Sequence, residues 1–382
     1  MSRVALIRCT SYEDHEVKDA VERGLGLLGG VHSLVSPGER ILLKPNLLAA
    51  EPPEKCVTTH PAVFKAVVKI LQDAGVSLTY GDSPGFGSPA TVAKKSGIAA
   101  AAEELDIPLA DFVQGEEVFF AEGRQNKKFV LARGVGESDG IISLPKFKTH
   151  GLVRLTGAIK NQFGCIPGVL KGEYHVKLPE INEFAQMLVD LNLVLRPRVY
   201  IMDGIMAMEG NGPRSGKPYP LKVLLFSTDP VALDAVQCRL VKLNPEFVPT
   251  LILGQESGLG SMQNIELLGD DIESFIAPAF EVKHEPAAGA KVPGMKFITN
   301  SLIPRPYIIE ANCVRCGVCV HSCPVQPKAV DWASLDKEQP PVYYYQRCIR
   351  CFCCQEMCPE QAIAIKSPWL RRTLSWVSNI NK

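Results

Sequence analysis

An α/β body with a mostly parallel sheet and helices on both faces, followed by a small C-terminal α+β module, is the architecture this sequence predicts. Three observations point to it. Residues 1–284 alternate short apolar runs with amphipathic segments, the pattern of interleaved strands and helices. The runs are rich in Val, Ile and Leu throughout, as strands covered on both faces require. Near the C-terminus, eight of the thirteen cysteines fall into two copies of one spacing.

Taken in order, residues 3–9 (RVALIRC) read as a strand and 12–28 as a helix. Residues 40–43 (RILL) are a buried strand, and 61–74 a helix with Pro61 in its first turn. Residues 76–80, 140–144, 199–202 and 221–226 are further strands, and 230–241 is a helix. Residues 285–304 open with Pro, Gly and Ala without periodicity and read as a linker. The cysteine module occupies 305–366. In the tail, 367–382, Trp369, Leu370, Leu374 and Val377 fall near one helical face, as in an amphipathic helix packed on the body.

Bulk properties narrow the function. A chain of 382 residues suggests two or three domains. Lys plus Arg equals Asp plus Glu, at 41 each, so no global field favours nucleic acid. No apolar stretch approaches the ~18 residues of a membrane span. Acidic residues follow the first apolar run at once, unlike a signal peptide. The cysteines do not resemble the disulfide framework of a short secreted chain, and a reducing cytoplasm is the expected compartment.

The cysteine copies are Cys313, Cys316, Cys319 and Cys323 before Pro324, and Cys348, Cys351, Cys354 and Cys358 before Pro359. Both read C-x2-C-x2-C-x3-C-P, a thiolate spacing that fits cubane [4Fe–4S] clusters and one-electron transfer. Four thiolates also hold zinc. Zinc modules, however, usually separate two C-x2-C pairs by a long spacer, whereas here three cysteines crowd into seven residues, twice. Cys353, beside Cys354, breaks the repeat and reads as a small buried residue. Similar sequence follows each copy, PVQPKAV and PEQAIAI, so the module is duplicated. It resembles the bacterial two-cluster ferredoxin domain. That resemblance implies a ferredoxin-like fold in which the fourth cysteine of each motif serves the other cluster. One cluster would take Cys313, Cys316, Cys319 and Cys358, and the other Cys348, Cys351, Cys354 and Cys323.

In the body, each strand runs directly into polar residues. Strand 40–43 leads to Lys44 and Asn46, 76–80 to Asp82, 140–144 to Lys146, Lys148 and His150, 199–202 to Asp203 and Glu209, and 221–226 to Asp229. Carboxyl ends of parallel strands line one crevice, where ligands bind. Lys44, Lys146, Lys148 and Lys160 could hold an anion there, with Asn46 and Asn161 as neutral donors. Asp82, Asp203, Glu209 and Asp229 could instead hold a divalent metal. Asp229 before Pro230 also reads as a helix cap. His60 and His150 are the candidates for proton transfer, with Lys146 beside them. Cys56 and Cys165 read as structural.

The blocks LLKPNLL, VTTHP, GDSPG, LPKFKTHG, LTGAIKNQFG and STDPVALDAV together resemble the DUF362 family, which is often fused to a two-cluster ferredoxin module. The resemblance implies this architecture and a redox association, and brings no substrate. Three functions are open at this point. The first is an oxidoreductase, or oxidoreductase subunit, that passes electrons between a redox partner protein and a small anionic ligand in the body. The second is a non-enzymatic electron carrier whose body serves docking or regulation. The third is a cluster-assembly scaffold.

Overall fold

The computed structural model describes residues 1–168, 170–287 and 303–366. Residues 288–302 of the expected linker and the whole expected tail at 367–382 lie outside the described residues.

The strands of the body are β1 (Ser2–Arg8), β2 (Arg40–Pro45), β3 (Ser77–Tyr80), β4 (Gly115–Phe119), β5 (Lys128–Ala132), β6 (Gly140–Leu144), β7 (Lys146–His150), β8 (Arg154–Thr156), β9 (Val199–Glu209), β10 (Lys217–Tyr219), β11 (Val223–Ser227) and β12 (Ile265–Gly269). β4 and β5 pair apart from the main sheet, which runs in the order β12-β1-β11-β9-β6-β2-β3. β3, β2, β6 and β9 are mutually parallel, as are β1 and β12. β7 continues β6 beyond Pro145 and lies parallel to β9, with β8 antiparallel at its side. The sheet is mixed but mostly parallel. Alternation along β1 shows how it is covered: Ala5 and Ile7 join the core under helices Asp14–Leu27 and Pro61–Asp73. Val4 and Leu6 face the opposite core, under helices Ile181–Leu195 and Pro230–Leu240.

β11 departs from the parallel pattern: it pairs antiparallel with both β9 and β1. Residues 210–222, which join it to β9, carry only the short β10. A parallel return needs a crossover of about a dozen or more residues, usually helical; this segment has the length but no helix, so the chain turns back instead. The C-terminal tip of β11 therefore lies at the opposite edge from those of β2, β3 and β6. There the Asp229 side chain accepts from the Val231 and Ala232 N–H groups at 2.8 and 2.9 Å, capping the helix that Pro230 opens. It also accepts from Ser2 Oγ and the Ser261 N–H. Asp229 is thus a cap and a tie, removed from the crevice.

In the module, β13 (Arg305–Ile308) pairs with β16 (Ile363–Lys366), and β14 (Val330–Asp331) with β15 (Val342–Tyr343), both antiparallel. The sequence duplication reappears in the backbone. Arg315 and Arg350, at matching positions, both have positive φ, as do Gly317 and Phe352. A short helix follows each of the latter, Val318–His321 and Cys353–Met357. The second helix is the anchor to the body. Buried Gln355 donates from Nε2 to the Asn211 carbonyl and to Asn211 Oδ1, both at 2.9 Å. Arg214 donates to the Met357 carbonyl and pairs with Glu51 at 2.6 Å.

Replacing Asp229 with Ala removes a cap and two ties. Stability should fall by about 1–2 kcal/mol in urea unfolding. Iron content and anion binding should be unchanged, because the residue lies at the far edge of the sheet.

Candidate functional site: a lysine-lined cavity beside the cysteine module

The module encloses two small cavities. One is lined by Cys313, Cys316, Cys319 and Cys358, the other by Cys348, Cys351, Cys354 and Cys323. Each brings three cysteines of one motif together with the fourth of the other, the sets expected for two [4Fe–4S] clusters. The surroundings suit sulfur ligands. In both repeats a backbone N–H points at the last cysteine, Ala329 to Cys323 Sγ at 3.4 Å and Ala362 to Cys358 Sγ at 3.3 Å. Tyr343 Oη lies 3.2 Å from Cys354 Sγ. Of the eight, only Cys316 is exposed. Cys353 lines neither cavity. It is half-buried rather than buried and faces a third, much larger one.

That third cavity, of about 680 Å³, lies between body and module. The body contributes Asn46, Asp82, Lys146, Lys148, His150, Lys160 and Asn161, all expected from the strand tips and the IKN segment. It also contributes Ser83, Lys171 and His175. The module contributes Cys323, Lys328, Cys353 and Glu356, among others.

Counting donors separates the lysines that hold the wall from those that face the cavity. An ammonium has three N–H bonds. Lys44 donates to Asn161 Oδ1 and the Pro45 carbonyl, both at 3.2 Å, and forms an ion pair with Asp82 Oδ1 at 2.8 Å. It stands fully buried behind the wall. Lys146 uses two, on Asp203 Oδ2 at 2.7 Å and Tyr12 Oη at 2.9 Å. Lys148 uses two on neutral acceptors, Asn46 Oδ1 at 2.7 Å and the Val57 carbonyl at 2.6 Å. Lys171 likewise uses two, on the Ser83 carbonyl at 2.6 Å and Ser83 Oγ at 2.7 Å. Among the described residues Lys160 meets no acceptor; its Nζ rests over the Phe163 ring at 4.6 Å. Lys148, Lys160 and Lys171 therefore face the cavity with unused donors and no carboxylate partner. Burial pushes Lys148 and Lys171 down to about 7. The ammonium groups of Lys146 and Lys160 add to the effect at Lys148.

The two asparagines brace this arrangement rather than present donors to a ligand. Asn161 Oδ1 accepts from Lys44 and Asn46, while its Nδ2 donates to Ser143 Oγ and the Lys44 carbonyl. Gly164 is required beside them, since a Cβ there would sit 1.7 Å from Asp82 Oδ1.

His150 bridges body and module. Its Nδ1 accepts from the Leu152 N–H at 3.0 Å, which places the ring proton on Nε2, 3.1 Å from Glu356 Oε1. Burial pushes the His150 imidazole below its ordinary range. Burial opposes ionisation of Glu356, but His150 and Lys160 outweigh it and keep the carboxylate charged. His175 is driven down to about 3 by burial and is neutral. His60 lies outside the cavity. Its Nδ1 caps helix Pro61–Asp73 through the Ala62 N–H, and its ring stacks on Tyr12 at 3.5 Å.

The four carboxylates suggested for a metal stand apart in the structure. Asp82 and Asp203 pair with lysines, Glu209 accepts from the Glu281 N–H, and Asp229 is at the opposite edge. Among the described residues of the body, no three His, Cys, Asp or Glu side chains are placed to hold a metal ion.

Lys171, His175, Glu356 and the cavity-facing Cys353 are the contributors that strand-tip reasoning misses. The first two lie on helix Leu170–Lys177, away from any strand tip. The last two are hidden within the second cysteine motif.

The fold and its cavities define an α/β protein carrying an iron–sulfur dicluster module. Residues 305–359 match the 4Fe-4S dicluster domain, whose chemistry is electron transfer. Residues 41–239 match the domain of unknown function DUF362, and the chain belongs to that family. The thylakoid-associated protein sll1697 of Synechocystis sp. is 37% identical over 257 residues, covering 67% of this chain and 79% of that protein. Among solved structures, the lactate racemase apoprotein of Thermoanaerobacterium thermosaccharolyticum aligns with a TM-score of 0.42 at 14% identity. The match covers 63% of this chain and 56% of that one. A Thermotoga maritima protein aligns with a TM-score of 0.33 at 12% identity, covering 57% and 56%. No helix among the described residues is long and apolar enough to cross a membrane.

Anion binding in the large cavity should depend on pH with a definite sign. An anion stabilises the charged ammonium and so raises the pKa values that burial has lowered at Lys148 and Lys171. Binding should therefore take up protons near pH 7, and affinity should fall as pH rises from about 6 to 8. Calorimetry with sulfate, whose own charge is constant over this range, in two buffers of different ionisation enthalpy measures both effects.

Proposed function

We propose that this protein is an iron–sulfur oxidoreductase that exchanges electrons with a small anionic substrate bound in the lysine cavity. One observation carries the reading: Cys323 and Pro324 line both the second cysteine cavity and the lysine cavity. A cluster ligand expected from the spacing thus forms part of the substrate wall. Bound by Cys348, Cys351, Cys354 and Cys323, a [4Fe–4S] cluster would supply single electrons at that wall. Cys313, Cys316, Cys319 and Cys358 would hold the second cluster. There the exposed Cys316 offers a redox partner protein its nearest approach.

The chain's own residues supply binding and proton handling. Lys148, Lys160 and Lys171 hold the anion through their unused N–H bonds. Lys146, tied to Asp203, adds one more donor at the wall. His150 Nε2–H, at the cavity and against Glu356, is positioned to donate a hydrogen bond to the substrate, and Lys148, lowered to about 7, to give or take a proton as the charge on the substrate changes. A reducing compartment such as the cytoplasm suits this chemistry.

The non-enzymatic carrier leaves unexplained why three buried or half-buried lysines without carboxylate partners line a cavity of about 680 Å³. A pocket of several hundred cubic ångströms is the size that small-molecule sites take.

The test is anaerobic. Protein reduced with dithionite and then freed of it is mixed with a panel of di- and trianionic organic acids and phosphate esters, and cluster reoxidation is followed by absorbance. At least one compound should accelerate reoxidation. Lys160→Met should lower that rate constant at sub-saturating substrate by tenfold to a hundredfold, roughly the loss of one charged hydrogen bond. His150→Gln should lower the maximal rate. Both variants should keep the wild-type cluster spectrum. Unchanged rates in both would remove the cavity from the reaction. Lys146→Ala is the poorer probe, since it strands buried Asp203 and should destabilise the fold by about 3–5 kcal/mol.

A further inference from the structure

The deep part of the cavity and its mouth differ in chemistry. Lys148 and His150 are buried, 0% and 4% exposed. At the mouth, beside the exposed Glu173–Lys177 ion pair and His321, Phe86 and Val176 are each 42% exposed, although both are apolar. They come from different elements of the body, Phe86 from the loop after β3 and Val176 from helix Leu170–Lys177. The Phe86 and His321 rings meet nearly at right angles, centroids 5.8 Å apart, which leaves at least one face of the Phe86 ring for another partner. Leu48 and Met357 extend the apolar lining.

Size points the same way. Three lysines without carboxylate partners call for a ligand with two or more negative charges. A simple inorganic dianion would fill only a small part of about 680 Å³. The remaining space is bounded in part by apolar groups, which a wholly polar ligand would leave wet.

We infer that the ligand is a small molecule carrying two or more negative charges at one end and a planar aryl or heteroaryl group at the other. The charged end sits on Lys148, Lys160 and Lys171, and the planar end lies at the mouth between Phe86 and Val176. This rests on the cavity being the substrate site and adds the chemical class of that substrate. Phe86 and Val176 then act as selectivity residues, rejecting anions that have no apolar body.

Binding alone tests the inference, in the oxidised holoprotein, so no electron transfer is required. Trinitrophenyl-ADP, a fluorescent molecule with a charged and a planar end, is titrated directly, and inorganic pyrophosphate, a charged end alone, is measured by competition. The wild type should bind the fluorescent probe at least about tenfold more tightly than pyrophosphate. Phe86→Ala should weaken the probe by about tenfold and pyrophosphate by less than about twofold, with Val176→Ala acting in the same direction. Both side chains are partly exposed, so these variants should fold. Lys160→Met should weaken both ligands. A probe insensitive to Phe86→Ala and Val176→Ala, with pyrophosphate still sensitive to Lys160→Met, overturns this inference alone. Insensitivity of both ligands to Lys160→Met overturns it together with the anion-site reading.

Discussion

Five buried or half-buried lysines at one edge of the sheet have too few carboxylates for their charges, and the rest of the structure is arranged around them. Moving an ammonium out of water is expensive unless it is paired and fully hydrogen-bonded. Two are paired: Lys44 with Asp82 and Lys146 with Asp203. Lys148 and Lys171 rest on neutral oxygens, and Lys160 on an aromatic face. A fold whose only requirement was stability would not leave three such groups around one cavity. Their placement is understandable if an anion completes the set.

The module takes part in the same constraint. Its one carboxylate in the cavity, Glu356, lies on the helix that Gln355 and Met357 fasten to the body. It lies against His150 and near Lys160, so docking the module supplies negative charge where the body lacks it. The same docking brings Cys323 to the cavity wall. The carboxylate and the cysteine that the module adds to the cavity therefore come from one contact surface.

Different parts of the structure are legible in the sequence to different depths. The lysines of β2 and β7 were legible because parallel strands deliver their carboxyl ends to one edge, and a polar run directly after an apolar one marks that edge. The repeated spacing marks the eight cysteines, and the resemblance to two-cluster ferredoxins implies the interleaved sets that line the two small cavities. The reversal of β11 was not, since an apolar strand looks alike in either direction and only the lack of a helix at 210–222 betrays it. Asp229 consequently fell at the wrong edge for a ligand, although its capping role was readable from the Pro that follows. Lys171 lies on an ordinary amphipathic helix, where a solvated lysine is the default reading. His60 was legible as a histidine near a strand tip, but its Nδ1 is taken by the cap and its ring by Tyr12.

An anion in the lysine cavity and a cluster on Cys348, Cys351, Cys354 and Cys323 would share one wall, because Cys323 lines both cavities. Pulsed electron–nuclear double resonance on the reduced protein with pyrophosphate bound measures this directly. Phosphorus-31 coupling should appear on the signal of that cluster, be absent from the signal of the other, and vanish in Lys160→Met. Tight pyrophosphate binding with no phosphorus coupling to either cluster would contradict the account.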